Sequence, residues 1–281
     1  MAKVYDALRR AEEERKRRSG DQSSTPVAAF EMEQATPPAP KSKRFWGRFR
    51  GERRAKEIQD SSTAVNKRRI SLLQPDSYVA EQFRALRGRI DALSAQHPIR
   101  SVVVTSAFPG EGKTTAAVNL AAVTALSLGR RVLLVDCDLR KPKVHQALGL
   151  RPEAGLAEVL SGQSDLDDAI VKVDGVNLEV LAVRGRPPNP SELLGSDRMR
   201  ELMEELSSRY DRIIVDSPAA LGLPDAKCVS ELCDGMVMVV RADETAQQDV
   251  QTVLEVLDRR RVLGLLLNGA KVSQGRYGYA S

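Results

Sequence analysis

Residues 106–115 read "SAFPGEGKTT", an order of small, cationic and hydroxyl side chains suited to holding a polyphosphate. Pro109, Gly110, Glu111 and Gly112 form the turn, and the two glycines let the backbone curl so that successive N–H groups point inward at phosphate oxygens. A helix starting near Lys113 adds the positive end of its dipole. Lys113 is placed to reach the β and γ phosphates, and the Thr114 hydroxyl to ligate Mg2+, with Thr115 packing behind it. The pattern is that of a P-loop in which Ala107 stands where the strict form has glycine. An ordinary Gly-rich turn can match it by chance. Here "SVVVTS" (101–106) supplies the required preceding strand and "TTAAVNLAAVTALSLG" (114–129) the required following helix, which predicts nucleotide binding.

Carboxylates follow two other apolar runs. In "RVLLVDCDLRKP" (131–142), Asp136 and Asp138 stand two residues apart, and a strand continuing through both would present them on one side. Beside a Mg–nucleotide such a pair can divide the work, one carboxylate holding the metal shell and the other taking a proton from an incoming hydroxyl. Arg140, just beyond, is placed to steady phosphate charge. "RIIVDSP" (212–218) puts Asp216 at a strand end, the usual place of the acid that orders Mg2+ through water. One aspartate at a strand end is usually a cap or a turn residue. Three such aspartates beside a P-loop make Lys113, Asp136, Asp138 and Asp216 a candidate catalytic constellation, with Thr114, Asp136 and Asp216 facing the metal.

The elements that must position these residues are legible as alternation. Further apolar runs occur at 177–183, 212–218, 235–242 and 262–269, with helical stretches between them, notably 197–208 and 246–260. Continuous apolar strands alternating with helices predict an α/β fold, a mostly parallel sheet flanked by helices. Ligands of such sheets bind at the carboxyl ends of the strands, where the aspartates lie. Asn268, ending the last run, could read an adenine edge, although a turn residue in "NG" is the commoner use. Arg184 and Arg186 precede Pro187 in a loop, facing phosphate or water.

Charge divides the chain into parts. Residues 1–40 carry 7 Lys/Arg and 7 Asp/Glu, residues 41–56 carry 8 and 1, and residues 57–281 carry 28 and 30. The excess of basic groups is confined to one short segment, so no nucleic-acid surface is expected on the large C-terminal part. Residues 1–18 place Val4, Ala7, Leu8 and Ala11 on one face, predicting an amphipathic helix. Residues 19–70 read as a disordered basic linker, 71–270 as the P-loop domain and 271–281 as a flexible tail. Within the linker, Phe45, Trp46 and Phe49 lie among the cations of 41–56; such a segment either settles on an anionic membrane surface or remains a solvated tether. There is no apolar signal core and no run long enough to span a membrane, so a cytoplasmic location is expected. Cys137, Cys228 and Cys233 lack metal-ligand spacing and read as buried thiols.

Taken together, "SAFPGEGKTT", "VLLVDCDLRKP" and "RIIVDSP" resemble the Walker A, A′ and B motifs of the bacterial tyrosine kinases (BY-kinases), the capsule and exopolysaccharide autokinases. "RPPNPSELLGSDRM" (186–199), "EQFRALRGRI" (81–90) and the opening "MAKVYDALRRAEEER" also resemble that family, the last its stand-alone members. Chromosome-partition and cell-division ATPases share the fold but carry an additional lysine early in the P-loop, where this chain has Phe108, Pro109 and Glu111. The resemblance implies a P-loop NTPase fold that uses ATP and Mg2+ to phosphorylate C-terminal tyrosines, mainly on a neighbouring subunit of a ring. It implies Asp138 as the base, with Asp136 and Asp216 shaping the metal site. Glu81, Arg84 and Arg87 match the family's ExxRxxR subunit contact, although residues so spaced also form ordinary solvated salt-bridge faces. A separate membrane chain-length regulator would activate the kinase and recruit it to the inner face of the plasma membrane.

The tail departs from the family. A dense tyrosine cluster is usual there, whereas this chain ends "GRYGYAS", leaving Tyr277 and Tyr279 as phosphoacceptors in a flexible segment. The alternative function is an ATP-switched binding module that docks on the regulator without transferring phosphate to tyrosine. A DNA-bound partition ATPase would require the basic segment to bind duplex DNA with a steep salt dependence, and the near-neutral core argues against it.

Overall fold

The computed structural model describes residues 69–95, 97–127 and 129–270. The expected N-terminal helix, the basic segment 41–56, the linker up to residue 68 and the tail with Tyr277 and Tyr279 lie outside the described residues. Chain order is α1 (Ile70–Leu73), α2 (Tyr78–Ser94), β1 (Ser101–Ser106), α3 (Lys113–Ala125), β2 (Val132–Asp136), α4 (Val144–Leu148), α5 (Leu156–Leu160) and α6 (Leu166–Ala169). There follow β3 (Ile170–Lys172), β4 (Leu178–Leu181), α7 (Pro190–Leu194), α8 (Asp197–Arg209), β5 (Arg212–Asp216) and α9 (Asp225–Glu231). The last elements are β6 (Gly235–Arg241), α10 (Gln247–Val256), a 3-10 turn (Arg259–Arg261) and β7 (Val262–Asn268). Residue 70, read as the end of the linker, opens α1.

The strands form one sheet in the order β3-β4-β2-β5-β1-β6-β7. All neighbours run parallel except β3 and β4. Alternation along each buried strand feeds two cores. Val103, Leu133, Val135, Ile213, Val215 and Met238 face a layer containing α5, α8, α9 and α10. Val102, Val104, Leu134, Ile214, Val237 and Val239 face a layer containing α2, α3 and α4. β-Branched side chains suit the strands because their restricted rotamers pack well on a pleated surface. This two-sided covering is why the strands read as continuous apolar runs.

β1 lies between β5 and β6, so the P-loop leaves the middle of the sheet. Its helix α3, "KTTAAVNLAAVTA", is apolar nearly all round and buries all but Thr114 and Thr115, with α2 covering its outer side. Helix α2 starts at Ser77, whose side chain accepts the Ala80 N–H at 3.2 Å, and buries Ala80, Phe83 and Ile90. At the far end of the sheet, the buried Arg212 donates to Ile99 O at 2.5 Å and to Asp91 Oδ1 of α2 at 2.9 Å. These contacts fix the layer behind the P-loop. Among the described residues, no helix is long and apolar enough to cross a membrane.

Candidate active site

The P-loop turns on Gly110 (φ +96°) and Gly112 (φ +101°), both in the region that side chains disfavour. Gly112 is needed twice over, because a Cβ there would stand 2.1 Å from Asn268 Nδ2. Lys113 is the first residue of α3, and its ammonium lies 3.4 Å from Asp138 Oδ2, both side chains almost wholly buried. Thr114 and Thr115, half-buried, follow on the first turn. Glu111 does not face outward with its neighbours. Its carboxylate accepts the Phe108 N–H at 2.9 Å and the Thr245 hydroxyl, leaving the residue 5% exposed.

The segment after β5 is laid along the same loop. Ala220 N donates to Ser106 O at 2.8 Å, Leu221 N to Ala107 O at 3.2 Å, and the Thr105 hydroxyl to Pro218 O at 3.0 Å. Parallel register then brings the acids together, with Asp216 beside Val104 on one side and beside Asp136 on the other. β2 stops at Asp136, so the expected strand through Asp138 is two residues too long. The turn, not the pleat, presents Asp138, and Asp136 is what builds the turn. Asp136 Oδ1 accepts Asp138 N at 3.1 Å, and its Oδ2 accepts Lys143 N at 3.1 Å and Val144 N at 3.0 Å.

The two strand-end aspartates therefore differ in what they can offer. Burial, then the Asp216 charge, pushes Asp136 well above the usual carboxylate range, while N–H groups of Val144 and Asp138 oppose the rise. Asp216 is raised to about 7, chiefly by burial, against the favourable pull of the Lys113 charge and the nearby Thr114 hydroxyl. Both Asp216 oxygens are fully buried and without a well-formed hydrogen bond. A buried carboxylate without a well-formed hydrogen bond to either oxygen is costly unless something positive arrives, and Mg2+ is a hard cation that takes oxygen ligands. Asp216 and Thr114 fit such an ion; Asp136, engaged three times over, fits less well. Among the described residues no three His, Cys, Asp or Glu side chains converge as a metal cage, so phosphate and water would complete the shell.

Arg140 meets a protein partner before any phosphate. Its Nε donates to Asp225 Oδ2 at 2.6 Å and its Nη2 to Ser191 Oγ at 2.8 Å, while the Ser191 hydroxyl donates to Asp225 Oδ1 at 2.6 Å. Burial would raise Asp225, but the bonds from Arg140 and Ser191 bring it below the usual range. The turn bearing Asp138 is thereby tied to α7 and α9. Sequence reading missed Asp225 and Ser191, although "NPSELL" and the acid after Pro224 lay in plain view. Thr245 was missed too. Asn268 closes β7 instead of sitting in a turn, and its amide donates to Glu111 O at 2.8 Å. Arg184 donates to Glu153 O at 2.9 Å, and Arg186 is exposed.

The expected subunit contact is split. Arg84 pairs with Glu81 and donates to Pro75 O at 2.6 Å. Arg87 turns inward, donating to Val123 O at 2.7 Å and Ser127 Oγ at 2.5 Å at the end of α3. The cysteines are free, Cys137 and Cys233 buried and Cys228 half-buried.

A P-loop at the centre of a parallel sheet, flanked by a buried Lys–Asp pair and an unengaged strand-end aspartate, defines a P-loop nucleotide-dependent enzyme. The AAA domain family, AAA_31, matches residues 100–262. The archaeal septum site-determining protein MinD from Pyrococcus horikoshii, solved with Mg-ADP, superposes with TM-score 0.52 at 28% identity, over 60% of this chain and 69% of that one. Closer likenesses are kinases. Tyrosine-protein kinase YwqD of Bacillus subtilis is 40% identical over 75% of this chain and 90% of its own length. The kinase domain of Escherichia coli tyrosine kinase ETK is 33% identical, with TM-score 0.69 over 75% of this chain and 84% of that domain. The chain belongs to the bacterial tyrosine-protein kinases.

Proposed function

We propose that the chain is an ATP-dependent autokinase that phosphorylates Tyr277 and Tyr279 of a neighbouring copy and thereby regulates the chain length and export of a capsular or exopolysaccharide. The observation that carries this reading is the buried Lys113–Asp138 pair beside Asp216. Transfer forms a bond between the phenol oxygen and the γ-phosphorus, breaks the bond from that phosphorus to the β-bridging oxygen, and releases ADP and the phenol proton. Asp216 and Thr114 would hold Mg2+, which would supply neutralisation of the phosphate charge. The inward N–H groups of the P-loop and the N-terminus of α3 bind phosphate. In the nucleotide-free arrangement the Lys113 ammonium is paired with Asp138. Phosphate oxygens that draw Lys113 away leave Asp138 as the base for the phenol proton, while Asp136 keeps its turn in place.

Glu81, Arg84 and Arg87 would contribute to a ring, and phosphorylated tails, each phosphate carrying roughly two negative charges, would repel one another and favour its release. A membrane chain-length regulator activates the kinase and brings it to the inner face of the plasma membrane, assisted by contacts of 41–56 with anionic lipid. The resemblance of the motifs to the capsule and exopolysaccharide autokinases supports this placement.

The test is intact mass after incubating the purified chain with ATP and Mg2+, with and without the regulator's cytoplasmic segment. Phosphate additions that disappear in Lys113→Ala, in Asp138→Asn and in the double variant Tyr277→Phe, Tyr279→Phe support the autokinase. ATP binding without any mass gain, regulator present, leaves the switched binding module in its place.

A further inference from the structure

We propose that Thr245 and Asn268 are positioning residues for nucleotide binding, acting through Glu111 of the P-loop. Glycines on both sides of Glu111 adopt positive φ and have no Cβ, so side-chain packing by the loop itself does little to hold its shape. The shape is imposed from outside, and Glu111 is where it is gripped. One carboxylate oxygen closes the loop on itself by accepting Phe108 N at 2.9 Å, and the other accepts the Thr245 hydroxyl. The main chain of the same residue is held separately, Glu111 O accepting from Asn268 Nδ2 at 2.8 Å. Both Thr245 and Asn268 lie more than a hundred residues downstream of the P-loop.

The two braces are themselves knit together. Arg241 N donates to Thr245 Oγ1 at 3.0 Å, and because that lone pair is taken by an N–H, the hydroxyl proton is left to point at Glu111. Thr245 N donates to Arg241 O at 3.0 Å across a turn in which Asp243 adopts φ +62°, and Ala242 N donates to Asn268 O at 2.8 Å. Thus the turn after β6 and the end of β7 form one unit that presses on the underside of the loop, close enough that Gly112 admits no Cβ beside the Asn268 amide. A carboxylate inside an anion-binding loop repels its ligand. Glu111 has both carboxylate oxygens taken by protein donors, Phe108 N and the Thr245 hydroxyl, which makes it a brace and not a phosphate contact. A loop already in its binding shape loses less conformational entropy when nucleotide arrives, so the braces act on affinity.

The inference rests on the nucleotide-binding reading above, and Mg–ADP affinity of the full chain tests the two separately. Calorimetric titration is made on the wild type, Thr245→Val, Thr245→Ser, Asn268→Ala and Lys113→Ala, each with its unfolding midpoint recorded without nucleotide. Thr245→Val and Asn268→Ala are expected to weaken Mg–ADP about tenfold or more. Thr245→Ser, which keeps the hydroxyl, is expected to stay within about threefold of the wild type, a rescue that a merely space-filling role for Thr245 does not require. Thr245→Val and Asn268→Ala both binding within twofold of the wild type, or Thr245→Ser failing as badly as Thr245→Val, overturns the inference while nucleotide binding stands. A wild type that takes up no Mg–ADP, indistinguishable from Lys113→Ala, overturns both.

Discussion

Asp216 is held far from the ordinary state of an aspartate. Its carboxyl is raised to about 7 by burial, above the value near 3.9 of an exposed aspartate. Between those values the folded chain holds a proton that the unfolded chain has released, so stability falls as pH rises from about 4 to about 7, with a slope approaching 1.4 kcal/mol per pH unit for each such proton. Asp136, raised by the same burial and by its neighbour, acts in the same sense. Asp216→Asn removes the charge and keeps the shape. In thermal melts without Mg2+ or nucleotide it is expected to unfold above the wild type at pH 8 and to approach it at pH 5. In the presence of Mg–ADP the ranking should invert, because only the wild type gains from the metal. An equal gain by both proteins would remove Asp216 from the metal site. That Asp216 closes a strand beside a P-loop could be read from "IIVDSP"; that it neighbours Asp136 could not, since strand order depends on crossovers that the sequence does not spell out.

At the scale of elements, Arg87 joins α2 to the helix that carries Lys113. The last carbonyls of a helix lack intrahelical donors and sit at the negative end of its dipole, and Arg87 meets that end at Val123 O. Arg84, paired with Glu81 near the surface, makes no comparable bond into the core. Arg87→Ala is expected to cost about 1 to 2 kcal/mol, a fall of roughly 2–8 °C in unfolding midpoint for a domain of this size, against a degree or so for Arg84→Ala. Melts of dilute chain make the comparison; equal, small shifts would return Arg87 to a purely intersubunit role. The spacing of Glu81, Arg84 and Arg87 was visible, but the inward turn of Arg87 was not, because its partners, Val123 on α3 and Ser127 just beyond it, belong to another element. Six strands were legible as apolar runs. β3, three residues of antiparallel edge, is too short to show a pattern, and α4, α5 and α7 span five residues each, less than two turns, so periodicity cannot mark them. The brace on Glu111 was hidden for a different reason: its two partners come from ordinary strand-end segments and acquire meaning only when β6 and β7 line up beside β1.

For the molecule as a whole, the open question is whose tail enters whose site. β7 delivers Asn268 to the P-loop, so the chain leading to Tyr277 begins at its own active site. Nine residues of extended chain reach about 30 Å, enough by length alone for either the same copy or a neighbour. The cost of turning the chain back argues for the neighbour. A tyrosine so close in sequence to the brace would have to turn back within nine residues to reach its own site, and ordering so short a loop costs entropy for every residue fixed. A mixture decides it. Lys113→Ala with its tail intact is incubated with ATP, Mg2+ and a second chain that keeps Lys113 but ends at residue 270, the two being distinguishable by mass. Transfer between copies is expected to add phosphate to the Lys113→Ala chain only when the shortened chain is present, at a rate that rises with its concentration. Wild type that gains phosphate at a concentration-independent rate, together with an unmodified Lys113→Ala chain in the mixture, would place each tail in its own site and make ring assembly unnecessary for the chemistry.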